Sequence, residues 1–138
     1  MPDLLTLADA STIADAALAR ARELGLPPLC VAVLDGGGHV KALKREDGAS
    51  MFRVDIATGK AWGAIAMGGS SRELGERYKD RPGFLGAITN LAGGRIVPVA
   101  GGVLIRKSGE IAGAVGISGA TSDEDEACAL AGIQAAGL

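Results

Sequence analysis

Gly93-Gly94-Arg95-Ile96-Val97-Pro98-Val99-Ala100-Gly101-Gly102-Val103-Leu104-Ile105 runs into Arg106-Lys107-Ser108-Gly109, then Glu110-Ile111-Ala112-Gly113-Ala114-Val115-Gly116-Ile117-Ser118-Gly119-Ala120. Two apolar, β-branched runs flank a turn that ends in glycine, which is the pattern of a β-hairpin. The second run passes into Thr121-Ser122-Asp123-Glu124-Asp125-Glu126. Thr121 with Glu124 fits a capping box, and Ser122 with Asp125 offers the same pattern one residue on. Strands and a helix therefore follow in consecutive sequence. Gly101, Gly102, Gly113, Gly116 and Gly119 sit inside or beside the strands. A strand glycine marks a bulge or a place where something comes close to the backbone. A packed helix and a ligand both satisfy that condition.

Working outward, Leu7 to Leu24 carries an apolar stripe at helical spacing (Leu7, Ala10, Ile13, Ala14, Ala17, Leu18, Ala21 and Leu24), with Thr6 as cap and Asp9 as the reaching acid. Gly25 and Pro27-Pro28 end it. Leu29 to Leu34 is continuously apolar, as in a central strand covered on both faces. Asp35-Gly36-Gly37-Gly38 is a turn, and His39 to Arg45 a second, antiparallel strand. Further helices are expected at about Met51–Met67, at Ser70 to Tyr78 with Ser70 and Glu73 as cap, at Phe84–Leu91, and at Ser122–Ala136. Three short strands are expected between Gly93 and Ser118. The fold class is α/β with a mostly antiparallel sheet, because nearly all strand connections are hairpins.

Composition narrows the function classes. The 138 residues form one expected domain, 1–138, long enough to bury a core without disulfides or metals. Apolar residues make up 48% but aromatics only 3%, so the core is built from small side chains. The formal charge of −2 with interspersed signs gives no basic patch, so no nucleic-acid partner is expected. The longest uncharged stretch, Pro82 to Gly94, is too short to cross a bilayer, so no membrane partner is expected. The N-terminus lacks the pattern of a signal peptide, and a cytoplasmic location is the expectation. Cys30 and Cys128 read as buried thiols.

A single histidine, His39, rules out a multi-His metal site within one subunit. No metal site is expected in the protein itself; His39 is the best nitrogen for a haem iron, with Cys30, Met51 or Tyr78 as substitutes. Asp125 or Glu126 would meet a cation or a substrate proton if it turned into a pocket. Arg45, Lys60 and Arg95 suit a carboxylate-bearing ligand, and Asp47 or Asp125 an acid–base role. The candidate catalytic residues are thus Asp47, Lys60 and Asp125. The candidate ligand-binding residues are His39, Arg45, Arg95, Gly101, Gly102, Ser118 and Glu126.

Several stretches in this order resemble one family: Val31-Ala32-Val33-Leu34-Asp35-Gly36-Gly37-Gly38-His39-Val40, Arg45-Glu46-Asp47-Gly48-Ala49, Ile56-Ala57-Thr58-Gly59-Lys60-Ala61, Pro98 to Ile105, and Gly113 to Thr121 with Asp125-Glu126. The chain is similar to the GlcG/HbpS family of haem-binding-type proteins, which includes the C-terminal domain of PduO. Glu46 stands where the family often has Met. The resemblance implies a profilin-like fold: a five-stranded antiparallel sheet with helices on both faces. It also implies a homo-oligomer, from dimer to octamer, and haem as cofactor in some members. A small-ligand-binding protein for haem or a related tetrapyrrole follows as the first expectation. The alternative is a cytoplasmic enzyme of isomerase, hydrolase or lyase type, acting on a small carboxylate-bearing metabolite in a catabolic pathway.

Overall fold

The structure is a computed structural model that describes residues 4–138. Leu7–Glu23 forms α1, and Thr6 Oγ1 accepts the Asp9 N–H at 3.0 Å as its cap. Cys30–Asp35 (β1) and Val40–Arg45 (β2) form the first hairpin. Phe52–Met67 is α2, Ser71–Arg77 is α3 and Pro82–Leu91 is α4. Gly102–Lys107 (β3) and Glu110–Ser118 (β4) form the second hairpin, and Ser122–Ala135 is α5.

All strand pairs are antiparallel, in the order β2-β1-β4-β3. The sheet therefore has four strands among the described residues, where five were expected. The missing strand is the Ile96–Ala100 run. Its apolar residues have another use: they wedge between α2 and α3. A Cβ on Gly59 would strike Val97, one on Gly63 would touch Ile96, and one on Gly75 would strike the Pro98 carbonyl. Pro98 also has no N–H for a ladder, and Val99 N–H closes back on the Val97 carbonyl at 3.0 Å, a tight three-residue turn.

The pleat divides the strand residues between two layers. Val31, Val33, Ile105, Val115 and Ile117 face α1 and α5, joined by Ile13, Ala17, Cys128 and Ala129 in one large core. Cys30, Ala32, Leu34 and Ala114 face α2, against Ala57, Ala61 and Ala64. β1 is covered on both sides, as its continuous apolar run implied, and Leu29 to Leu34 are all fully buried.

Helix α2 lies unusually close to the sheet. A Cβ on Gly116 would sit 1.9 Å from the Ala57 carbonyl oxygen, and one on Gly102 would sit 2.3 Å from the Lys60 carbonyl oxygen. No side chain fits in either place. These strand glycines admit a helix.

Candidate functional site

That close approach carries Lys60 into the interior. Its side chain runs from the middle of α2 past Gly101, where a Cβ would lie 2.7 Å from Nζ. At the first turn of α5, Thr121 accepts the Glu124 N–H and Glu124 reaches back to Thr121, so the capping box is complete at this register. Asp125 is left to turn inward. Lys60 Nζ donates to Asp125 Oδ2 at 3.2 Å and to the Ile117 carbonyl at 2.8 Å, while Asp125 Oδ1 accepts the Ala120 N–H at 3.0 Å. The two residues are 2% and 1% exposed. Burial pulls the Lys60 ammonium below its ordinary pKa; Asp125 works against that shift and Arg53 adds to it. The pair is a clamp from α2 through β4 to α5, with the Ile117 carbonyl and the Ala120 N–H as its further partners.

The neighbouring candidates are tied in similar ways. Ser118 Oγ accepts from Arg53 at 3.0 Å. Glu126 and Asp123 both hold Arg72, an exposed network across α3 and α5. Buried Ser71 brackets Gly102, its Oγ accepting from the N–H at 2.7 Å and donating to the carbonyl at 3.3 Å. Gly101 and Gly102 thus serve packing.

Arg45 and Asp47 lie elsewhere, on a groove of about 580 Å³ with Leu18, Arg22, Pro28, Lys44 and Glu46. Its cations are engaged: Arg45 donates to the Ala49 carbonyl at 2.6 Å, Arg22 to the Pro27 carbonyl and to Glu46, and Lys44 to Asp15. Among the described residues no hydrogen bond or ion pair joins Asp47 to Lys60 or Asp125. Arg95 stacks over the Trp62 ring at 4.0 Å and donates to the Ala92 carbonyl at 2.6 Å. The proposed catalytic trio is therefore split, and the carboxylate-binding arginines do not converge.

His39 stands apart from all of these. It follows the β1–β2 turn, with its side chain 82% exposed and Nδ1 3.5 Å from Asp35 Oδ1. Asp35 builds the turn. Its Oδ1 accepts the N–H groups of Gly37 and His39, each at 3.0 Å. Burial works against the Asp35 charge, but those N–H groups and the imidazole outweigh it and hold the carboxyl below its ordinary pKa. Beside the turn is a cavity of about 340 Å³ lined by Leu4, Leu5, Gly36, His39, Lys41, Glu110 and Ile111, among others. Asp35 escaped notice as a site residue, although Asp before a glycine run is itself a signal for a side chain folded onto its own backbone.

An antiparallel sheet between helical layers, with His39 beside a cavity of mixed apolar and charged lining, makes this a small α/β domain. The chain belongs to the HbpS-like family: the family model described as "Haem degrading protein HbpS-like" matches residues 5–134. It is 33% identical over 122 residues to an uncharacterized 15.0 kDa protein of the dhaT-dhaS intergenic region of Citrobacter freundii, covering 88% of this chain and 84% of that one. It is 29% identical over 124 residues to the corrinoid adenosyltransferase PduO of Salmonella typhimurium, covering 90% of this chain but only 36% of PduO. Among solved structures it is similar to Klebsiella pneumoniae protein ORFY (TM-score 0.88, 28% identity, covering 97% of this chain and 91% of that one). The PduOC:heme complex follows closely (TM-score 0.86, 29% identity, 96% and 95%). HbpS is similar too (TM-score 0.83, 30% identity, 96% and 89%).

Proposed function

We propose that this chain is a small-ligand-binding protein that takes haem or a related tetrapyrrole at His39, as a homo-oligomer. The observation that carries this reading is the exposed imidazole of His39, 3.5 Å from Asp35 Oδ1, on a cavity that Leu4, Leu5 and Ile111 line together with Lys41 and Glu110. A histidine that ligates a metal commonly gives its other ring nitrogen to a carboxylate, which fixes the tautomer and raises the basicity of the ligating nitrogen. Asp35 stands on the Nδ1 side, and no hydrogen bond among the described residues engages Nε2. The family description and the PduOC:heme complex support the same ligand.

The residues present fit such a group. Leu4, Leu5 and Ile111 offer apolar surface. Lys41, on the same wall and without an ion pair among the described residues, suits a propionate. Haem, if bound, would supply an iron open to a nitrogen ligand, and His39 is the residue that would hold it. One subunit covers only part of a flat macrocycle, since a cavity of about 340 Å³ lies at the small end of ligand pockets. A partner surface completes the enclosure in the oligomer. Of the substitutes, Cys30 fits less well: it is buried, its thiol pushed up to about 11 by burial against the pull of Arg45.

The alternative, a cytoplasmic enzyme on a small carboxylate, has weaker support. Of its candidates, Lys60 for the carboxylate and Asp125 for the acid–base role bind each other out of reach of solvent, and Asp47 lines a separate groove.

The test is titration of the purified protein with hemin, following the Soret band. Saturation at a fixed ratio per subunit, lost in His39→Ala, is the expected result. A Soret shift that His39→Ala leaves unchanged sinks the assignment of the ligand, and no saturable shift sinks haem itself.

A further inference from the structure

Helix α4 reads Pro82-Gly83-Phe84-Leu85-Gly86-Ala87-Ile88-Thr89-Asn90-Leu91 and contains no charged residue. None of its ten residues is buried, and Leu91 is 85% exposed. An apolar helix normally hides at least one stripe from water. This one rests on the molecule only through half-buried Leu85, Ile88 and Thr89.

Its surroundings share that character. The protein has one Trp, one Tyr and two Phe, and none of the four is buried. Tyr78 and Phe84 meet at 5.4 Å between ring centres, with Arg77 over the first ring and Arg81 over the second. Just past α4, Gly93, Gly94 and Arg95 share a cavity of about 320 Å³ with Phe52, Asp55, Thr58 and Gly59 of α2. Phe52 is 63% exposed, and Met51 beside it is more so. Aromatic, Met and Arg side chains with few opposing charges are the composition of an interface centre.

Asp55 and Arg81 are among the charges around this patch that have no opposite partner among the described residues. Asp55 stands in the cavity with no hydrogen bond or ion pair. Arg81, at the start of α4, has only its aromatic contact. Arg81, the residue just before α4, lies over the Phe84 ring at 4.5 Å; on α2, Phe52 precedes Asp55 by three and shares its helix face. In antiparallel apposition the two pairs match, Arg81 against Asp55 and Phe84 against Phe52. One chain carries both halves of this match.

We propose that α4 of one copy lies antiparallel along the start of α2 of a second copy, in a two-fold contact centred on Phe84 with Phe52 and Arg81 with Asp55. The proposal rests on the homo-oligomer reading above and names its contact. A two-fold arrangement engages both halves on both copies at once, which closes the assembly instead of propagating it.

The experiment is sedimentation velocity on the full chain without hemin, over a concentration series. The wild type should sediment as a dimer or a larger even-numbered assembly. Asp55→Arg and Arg81→Glu should each weaken association about tenfold or more, because each sets like charges face to face. The double variant Asp55→Arg with Arg81→Glu restores an opposite pair and should recover to within about threefold of wild type. Phe52→Glu, at an already exposed position, should give monomers with unchanged circular dichroism. A monomeric wild type overturns the proposal, including one that floats with anionic phosphatidylserine vesicles and so shows α4 to be a membrane element. Single variants that assemble like wild type, or a double variant no better than either single, also overturn it. Because hemin is absent, a failed hemin titration leaves this result standing, and a monomer leaves the His39 titration interpretable.

Discussion

The two faces of the sheet are packed by different means. Under α1 and α5 the strands present Val31, Val33, Val115 and Ile117, and branched side chains fill the space between layers. Under α2 they present Cys30, Ala32, Leu34, Ala114 and Gly116, and at the alanine and glycine positions the space is removed by bringing the helix backbone down onto the strands. The first face is an ordinary close-packed aliphatic core. The second gives up side-chain volume for proximity, and proximity places Lys60 deep enough to reach Asp125. A thin layer of this kind has little room for bulky aromatics: Trp62 packs against it half-buried, and Phe52, Tyr78 and Phe84 are not part of its core. One face holds the fold together, and the other sets where its charged and aromatic groups go.

The largest effect that would break this contrast is expected at the clamp. Lys60→Met leaves the Asp125 carboxylate buried without its cation, which costs about 3–5 kcal/mol. Lys60→Met combined with Asp125→Leu should return most of that stability, because replacing both charges by apolar groups of similar volume is often neutral. Urea midpoints would show it, and a double variant as unstable as the single would mean that the clamp is not what joins α2 to α5.

Neighbouring positions on β4 sharpen the comparison. Ile117→Ala opens a cavity beneath α1 and α5 and should cost about 2–5 kcal/mol. Gly116→Ala, one residue away and facing α2, adds a methyl where there is no space and should cost about 1–3 kcal/mol or more. The obstacle there is the Ala57 carbonyl oxygen, so Ala57→Gly should not rescue it. If the added methyl at 116 proves harmless in thermal unfolding, the close approach of α2 is not a constraint.

The smallest expected effect concerns acid, on the α1 side. Asp9 is held below the usual carboxylate range chiefly by its hydrogen bond to Lys107, against burial, with Thr6 helping. A carboxylate depressed in the folded state binds fewer protons there than in the unfolded chain, whose value is about 3.9. Its stabilisation is therefore present above about pH 4 and is lost as pH falls through the folded value. Lys107→Met should flatten that part of the acid limb in urea midpoints taken from pH 6 downward. An unchanged limb would show that the contact is fully screened.

Local signals were read well because they involve residues within one helical turn. Thr6, Ser70 and Thr121 each cap the helix that follows, as their spacing from Asp9, Glu73 and Glu124 implied. The same local logic could not choose between Thr121 with Glu124 and Ser122 with Asp125. Both patterns are present, and what removes Asp125 from capping is a lysine on another helix. The Ile96–Ala100 run misled for a related reason. Apolar β-branched residues report that a segment is covered, but not whether a strand or two helices cover it. Arg45, Arg95 and Asp47 were plausible partners for one ligand only while their directions were unknown. Arg95 turned onto Trp62, and the other two onto a separate groove.

The sequence alone determined the order and kind of nearly every element, the double burial of β1, the two hairpins and the resemblance to the HbpS-like family. Periodicity, caps and turn residues act over a few positions, so their outcome is written in the neighbouring sequence. Only the tertiary structure decided that the strand glycines admit α2, that Lys60 meets Ile117 and Asp125 across separations of 57 and 65 residues, and that α4 is left uncovered. Each of those depends on which distant surfaces come together, and a chain does not mark that choice beside the residues it affects.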